Sequence, residues 1–113
     1  MSMFQPPYPA GLPIGPDWLP APELRAVVFP YDRSEVALAP WGSSQMAAQA
    51  LESALGVAAR VEELPSHVRR TVLREVHSEL AARRHDFESL LVLESGKPLV
   101  DCRTEVERSL VTL

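Results

Sequence analysis

Chemistry in a chain like this would have to come from its cysteine, histidines and carboxylates, so their spacing is weighed first. The single cysteine, Cys102, lies between Asp101 and Arg103. A thiol becomes a nucleophile when a base or a positive field lowers its pKa. Here the two flanking charges oppose each other, which describes an ordinary helix-surface or half-buried thiol. His67, His77 and His85 are ten and eight residues apart. Two metal ligands on one helix face need a spacing of three or four, so the histidines do not describe a metal site. Glu94, Glu105 and Glu107 offer carboxylates for acid–base work, but no second polar cluster faces them, and surface charge is the simpler reading. The pairs Glu79–Arg83 and Arg84–Glu88 are four apart and read as solvated helix decoration, each worth a few tenths of a kcal/mol. Ser95-Gly96-Lys97 looks like the end of a phosphate-binding loop. It lacks the earlier glycine and follows a helix where that motif needs a strand. Taken alone, these residues describe a packing module without a visible active site: no catalytic, cofactor-binding or metal-ligating residue is assigned.

The elements that must position these residues fit one domain of ordinary size, since the chain has 113 residues. Its 46% hydrophobic content is too high for a wholly disordered protein. No apolar run reaches the roughly 18 residues of a membrane span, and the start of the chain lacks the charge and apolar core of a secretory signal. The net charge of −4 argues against unaided nucleic-acid binding, which rests on neutralising phosphates. One cysteine fits a reducing setting, so a cytoplasmic location is expected.

Composition divides the chain. Residues 1–23 hold seven of the eleven prolines before or at Pro22, with Phe4, Tyr8 and Trp18 interleaved. Proline fixes φ and removes a donor, so this stretch is expected to be an N-terminal arm rather than a helix or an inner strand. Residues 24–113 are expected to fold. A β-hairpin is predicted over about 26–39, two short apolar runs around Pro30-Tyr31-Asp32-Arg33-Ser34, where Asp32 and Ser34 can bond the backbone locally. Helices are predicted over about 44–63, 66–95 and 99–113. The first is capped by Ser43 or Ser44 and carries a stripe of Met46, Ala50, Leu51, Ala54, Leu55, Ala58 and Val61. The second carries Leu73, Val76, Leu80, Phe87 and Leu90, with a break between two helices allowed at Arg83-Arg84-His85-Asp86. Gly96-Lys97-Pro98 is a stop, with Gly96 expected at positive φ. The third carries Val106, Leu110 and Leu113, and the pattern is still running at the last residue. The fold class is therefore mainly α with an N-terminal β-hairpin.

Leu90-Leu91-Val92-Leu93-Glu94-Ser95-Gly96-Lys97-Pro98-Leu99, followed by Glu105-Val106, resembles the N-terminal part of the aldehyde dehydrogenase superfamily. That family commonly has an apolar helix end, then Glu-Thr/Ser-Gly-Lys-Pro, then a helix carrying Glu-Val. Leu64-Pro65 with Arg69 or Arg70 and then Leu73 matches the way the preceding helix opens there. Phe29-Pro30-Tyr31-Asp32-Arg33 is a looser match to the family's Asn-Pro-x-Asp/Thr-Gly turn, with Phe29 and Arg33 in place of Asn and Gly. The resemblance covers about Arg25 to Leu113 and leaves out the Pro-rich arm.

The resemblance implies an incomplete piece of an α/β fold whose helices cover a dinucleotide-binding sheet built elsewhere. It implies NAD(P)-dependent oxidation of an aldehyde to a carboxylic acid through a thiohemiacetal on a cysteine. The family's nucleophile sits in a Gly-Gln-x-Cys context, which Cys102 does not match, and its cofactor turn is absent. No cofactor is expected on this chain alone; NAD or NADP belongs to the complete enzyme. Some members hold a structural monovalent cation near the Glu-Val position, which would implicate Glu105. Two readings follow. One is an N-terminal fragment of such an oxidoreductase, inactive alone, whose partner is the remainder of the fold. The other is a free-standing helical module that self-associates or docks on a protein, without catalysis. Neither involves nucleic acid or a membrane.

Overall fold

The computed structural model describes residues 11–113. Met1–Ala10, the first part of the expected arm, lie outside the described residues. The element order is four strands and then four helices, so the fold is mainly α with its strands first, as predicted.

The first finding departs from the expected arm. Gly11–Ile14 (β1) and Asp17–Pro20 (β2) pair antiparallel, with Leu12 opposite Leu19 and Pro13 opposite Trp18. Prolines bar an inner strand, but both strands of a two-stranded sheet are edges, where a missing N–H costs nothing. Gly15-Pro16 makes the two-residue turn. Gly15 has φ 61°, where a side chain is strained, and a Cβ there would meet the Ser53 hydroxyl at 2.6 Å, so that side chain would have to move.

Glu23–Val28 (β3) and Glu35–Trp41 (β4) form the second sheet, which extends the predicted hairpin at both ends. The Arg25 guanidinium lies 3.8 Å from the centre of the Trp41 ring, which covers apolar surface beyond the predicted start. In the turn, the Phe29 N–H donates to the Ser34 carbonyl at 2.9 Å and the Arg33 N–H donates to the Phe29 carbonyl. The Ser34 N–H and hydroxyl both donate to Asp32 Oδ1, at 2.9 and 2.6 Å. These bonds hold the Asp32 carboxyl below its ordinary value, the hydroxyl contributing most.

The helices are Ser44–Glu62 (α1), Ser66–Ala82 (α2), Arg84–Ser95 (α3) and Leu99–Thr112 (α4). Ser43 caps α1 by accepting from the Met46 N–H at 3.2 Å. Pro65 and Pro98 precede α2 and α4, where an absent donor is harmless. The predicted single stretch over 66–95 is two helices. Arg83, at φ −109° and ψ 19°, ends one and begins the next, at the place where charges interrupt the apolar stripe.

Two compact units divide the described residues: 11–27 with Ala37–Leu64, and Val28–Val36 with Pro65–Leu113. In the first, α1 lies against β1, and the half-buried residues of α1 are Met46, Ala50 and Ser53. Leu51 and Leu55 of the predicted stripe are instead 62% and 67% exposed. In the second, α3 packs along α4, and α2 touches both. The buried side chains of the helices are Glu88, Cys102 and Val106, all in this α3–α4 pair. Cys102, Val106 and the half-buried Leu110 step by four along α4 and make its inner seam.

Candidate functional site

Most of the residues singled out for chemistry lie on or between α3 and α4, while His67, His77 and Glu79 lie on α2. Gly96 ends α3 at φ 69° and ψ 12°, and its N–H donates to the Val92 carbonyl at 2.8 Å. The positive φ expected from Gly-Lys-Pro is therefore present: proline disfavours helical geometry at Lys97, and glycine enters the left-handed region without a Cβ clash. A Cβ on Gly96 would sit 3.3 Å from the Pro30 ring, so the loop between β3 and β4 covers this junction. The Ser95 hydroxyl donates back to the Leu91 carbonyl and accepts from the Lys97 N–H at 3.3 Å. Lys97 Nζ reaches across to the Glu105 carboxylate. That contact raises the Lys97 pKa above its ordinary value.

Cys102 is fully buried, with its Sγ 3.8 Å from the Lys97 carbonyl. The expected helix-surface or half-buried thiol is thus a sealed one. A nucleophile needs access to substrate, and the burial of Cys102 gives none, so its role is to fill the seam between α3 and α4.

The larger departure is Glu88. The i, i+4 spacing to Arg84 predicts solvated decoration, whereas Glu88 is only 3% exposed. Arg84 Nε lies 3.3 Å from Oε1, while His85 Nδ1 and Arg103 Nε approach Oε2 at 3.0 and 3.7 Å. Arg84 also reaches Glu107 at 3.1 Å, tying the two helices together. Hydrogen bonding from His85 first, and from Arg84, lowers the Glu88 pKa against the opposing effect of burial. Spacing of four signals a pair but not its burial, and nothing in the spacing shows that Arg84 also reaches Glu107 on the facing helix. Arg83 differs as well: it sits 3.7 Å from Asp86 and over the Phe87 ring rather than on Glu79.

Tested for a cofactor, the junction does not fit. The open side of Gly96 is filled by Pro30, and the glycine closes a helix where a phosphate cradle would follow a strand. Glu105 is likewise a poor cation ligand, since the Lys97 ammonium already neutralises it. Among the described residues, no three His, Cys, Asp or Glu side chains gather as a metal cage. His67 and His77 belong to no such group. No helix among the described residues is long and apolar enough to cross a membrane.

What the geometry does offer is a helix–Gly-Lys-Pro–helix joint fixed by a buried carboxylate. The model of the aldehyde dehydrogenase family matches residues 18–113. The chain belongs to the aldehyde dehydrogenase family. The match begins inside β2, so the family region includes the end of the Pro-rich stretch. The chain is also similar to a lactaldehyde dehydrogenase of Methanocaldococcus jannaschii, 27% identical over 86 residues, which are 76% of this chain and 19% of that protein. It thus spans about a fifth of the length of the curated relative it matches. No solved structure matches the chain. Within this aldehyde dehydrogenase region, the α3–α4 joint pairs Glu88 with Arg84, His85 and Arg103, and Lys97 with Glu105.

Proposed function

We propose that this chain acts as the N-terminal helical part of an NAD(P)-dependent aldehyde dehydrogenase and has no dehydrogenase activity by itself. The observation that carries this reading is the family match over residues 18–113 in a chain spanning 19% of the lactaldehyde dehydrogenase it resembles. In the complete enzyme, NAD or NADP would accept hydride from an aldehyde held as a thiohemiacetal. This chain would supply neither the thiol nor the cofactor site, and would act where other residues of the enzyme provide both, in the cytoplasm. Exposed apolar side chains such as Leu51 and Leu55 on α1 and Val100 and Val111 on α4 are the kind of surface that docking requires.

The test is to incubate the purified chain with lactaldehyde and other aldehydes in the presence of NAD or NADP. No cofactor reduction is expected. Turnover that disappears in Cys102→Ala would overturn the proposal. Reading the DNA next to the coding sequence adds a second check, where a Rossmann-type glycine turn and a Gly-Gln-x-Cys sequence in any frame are expected. The alternative, a self-associating module without catalysis, is favoured by the same exposed apolar residues.

A further inference from the structure

His85 is an exposed histidine backed by a buried carboxylate. Its side chain is 83% exposed, and its Nδ1 lies 3.0 Å from Oε2 of the buried Glu88. The two residues are three apart on α3 and so share one helix face. Among the described residues, His85 is the histidine whose ring meets a carboxylate. Arg84 Nε and Arg103 Nε also approach Glu88, at 3.3 and 3.7 Å, and both guanidinium groups favour its ionised form. An ionised carboxylate only accepts hydrogen bonds, so the proton of this contact sits on Nδ1. The neutral ring then carries its lone pair on Nε2, the nitrogen turned away from Glu88. A carboxylate in this position fixes both the tautomer and the orientation of an imidazole.

We propose that His85 is a modification site, a nucleophile held by Glu88 that takes an activated acyl group on Nε2. Arg84 is engaged with Glu88 and Glu107, and Arg103 with Glu88. A neutral carbonyl carbon therefore suits this surface better than a phosphoryl dianion. The donor is an acid anhydride or an acyl phosphate. The Nε2 electron pair forms the bond to the acyl carbon, the bond from that carbon to the leaving oxygen breaks, and the oxygen departs with that pair. Glu88 opposes the positive charge that develops on the ring, and the Nδ1 proton is then lost to solvent. Glu88 is a positioning residue in this step. The inference stands apart from the aldehyde reading, because neither Cys102 nor a cofactor takes part.

Diethyl pyrocarbonate, an anhydride, is the probe, and peptide mass spectrometry of the full chain reads each histidine. His85 is expected to react about tenfold faster than His67, whose exposed ring meets no carboxylate among the described residues. In Glu88→Gln the His85 rate should fall to that of His67. Nitrogen NMR of the wild type in mildly alkaline buffer should show His85 as the Nδ1–H tautomer, the minor form of a free histidine, and Glu88→Gln should lose that preference. The proposal is overturned by a wild-type His85 that reacts no faster than His67, or by an Nε2–H tautomer. It is equally overturned by a Glu88→Gln chain with wild-type circular dichroism and an unchanged His85 rate. Should Glu88→Gln unfold, the wild-type tautomer and the ratio of His85 to His67 labelling decide.

Discussion

α1 and the α3–α4 pair are both amphipathic helical structures, yet they bury their residues very differently. α1 is 19 residues long, is capped by Ser43, and has no buried residue. α3 and α4, with 12 and 14 residues, enclose Glu88, Cys102 and Val106. The difference shows that length and a good cap make a helix, whereas a buried seam needs a facing helix held at a fixed approach. Here Gly96 reverses the chain, and the Glu88 carboxylate links Arg84 and His85 on α3 to Arg103 on α4.

Truncation at matched positions should expose the contrast most. Val106→Ala is expected to destabilise the chain by about 2–3 kcal/mol, since it opens a cavity in the seam. Leu55→Ala, at an exposed α1 position, should stay within about 0.5 kcal/mol. Denaturant melts of the two variants check this, and equal losses would remove the distinction. Next, Gly96→Val should cost about 1–2 kcal/mol from the left-handed φ, with the contact to Pro30 adding to it. Gly56→Ala in α1, where nothing lies within 4 Å of the added carbon, should instead stabilise by about 1 kcal/mol or less.

A third contrast uses pH. The Glu88 carboxyl is held below its ordinary value of 4.5. Its contribution to stability is therefore complete above that value and is lost as pH falls through its lower folded-state pKa. Stability of the wild type should decline as the medium is acidified below about pH 4.5, and Glu88→Gln should flatten that decline. Asp32 has the same sign, so Asp32→Asn provides the control for the hairpin turn. A pH profile of Glu88→Gln that parallels the wild type would remove Glu88 from the account.

The smallest expected effect lies in the turn. Arg33 adopts φ 66° where the resembled family pattern carries glycine. Arg33→Gly should stabilise the chain by about 0.5–1 kcal/mol, relief of the left-handed strain being partly offset by glycine's greater freedom when unfolded. A loss of stability would show that the arginine side chain matters more than its backbone.

Helix ends were legible because local chemistry decides them. Ser43, Pro65, Gly96 and Pro98 act through their own backbone or the next few residues, and each marks a boundary where the sequence placed it. The break at Arg83 was legible as an option for the same reason. The β1–β2 hairpin was not, because its prolines argue against strands in general, while pairing as two edges depends on register. Glu88 was hidden for a different reason. A pair spaced by four looks the same in sequence on a wet or a dry face, and only the approach of α4 removes water from it. Cys102 likewise reads as unremarkable until α3 covers it. The family words at Glu94–Pro98 were readable directly, and they mark the joint between the helices that bury the seam.

Amide hydrogen exchange of the dilute chain, resolved by residue, tests most directly whether the α3–α4 joint is the stable centre of this structure. The slowest exchange should lie in α4 around Cys102–Val106 and in α3 around Glu88, with α1 exchanging through much smaller local openings. Amides of α1 as protected as those at Val106 would contradict the account.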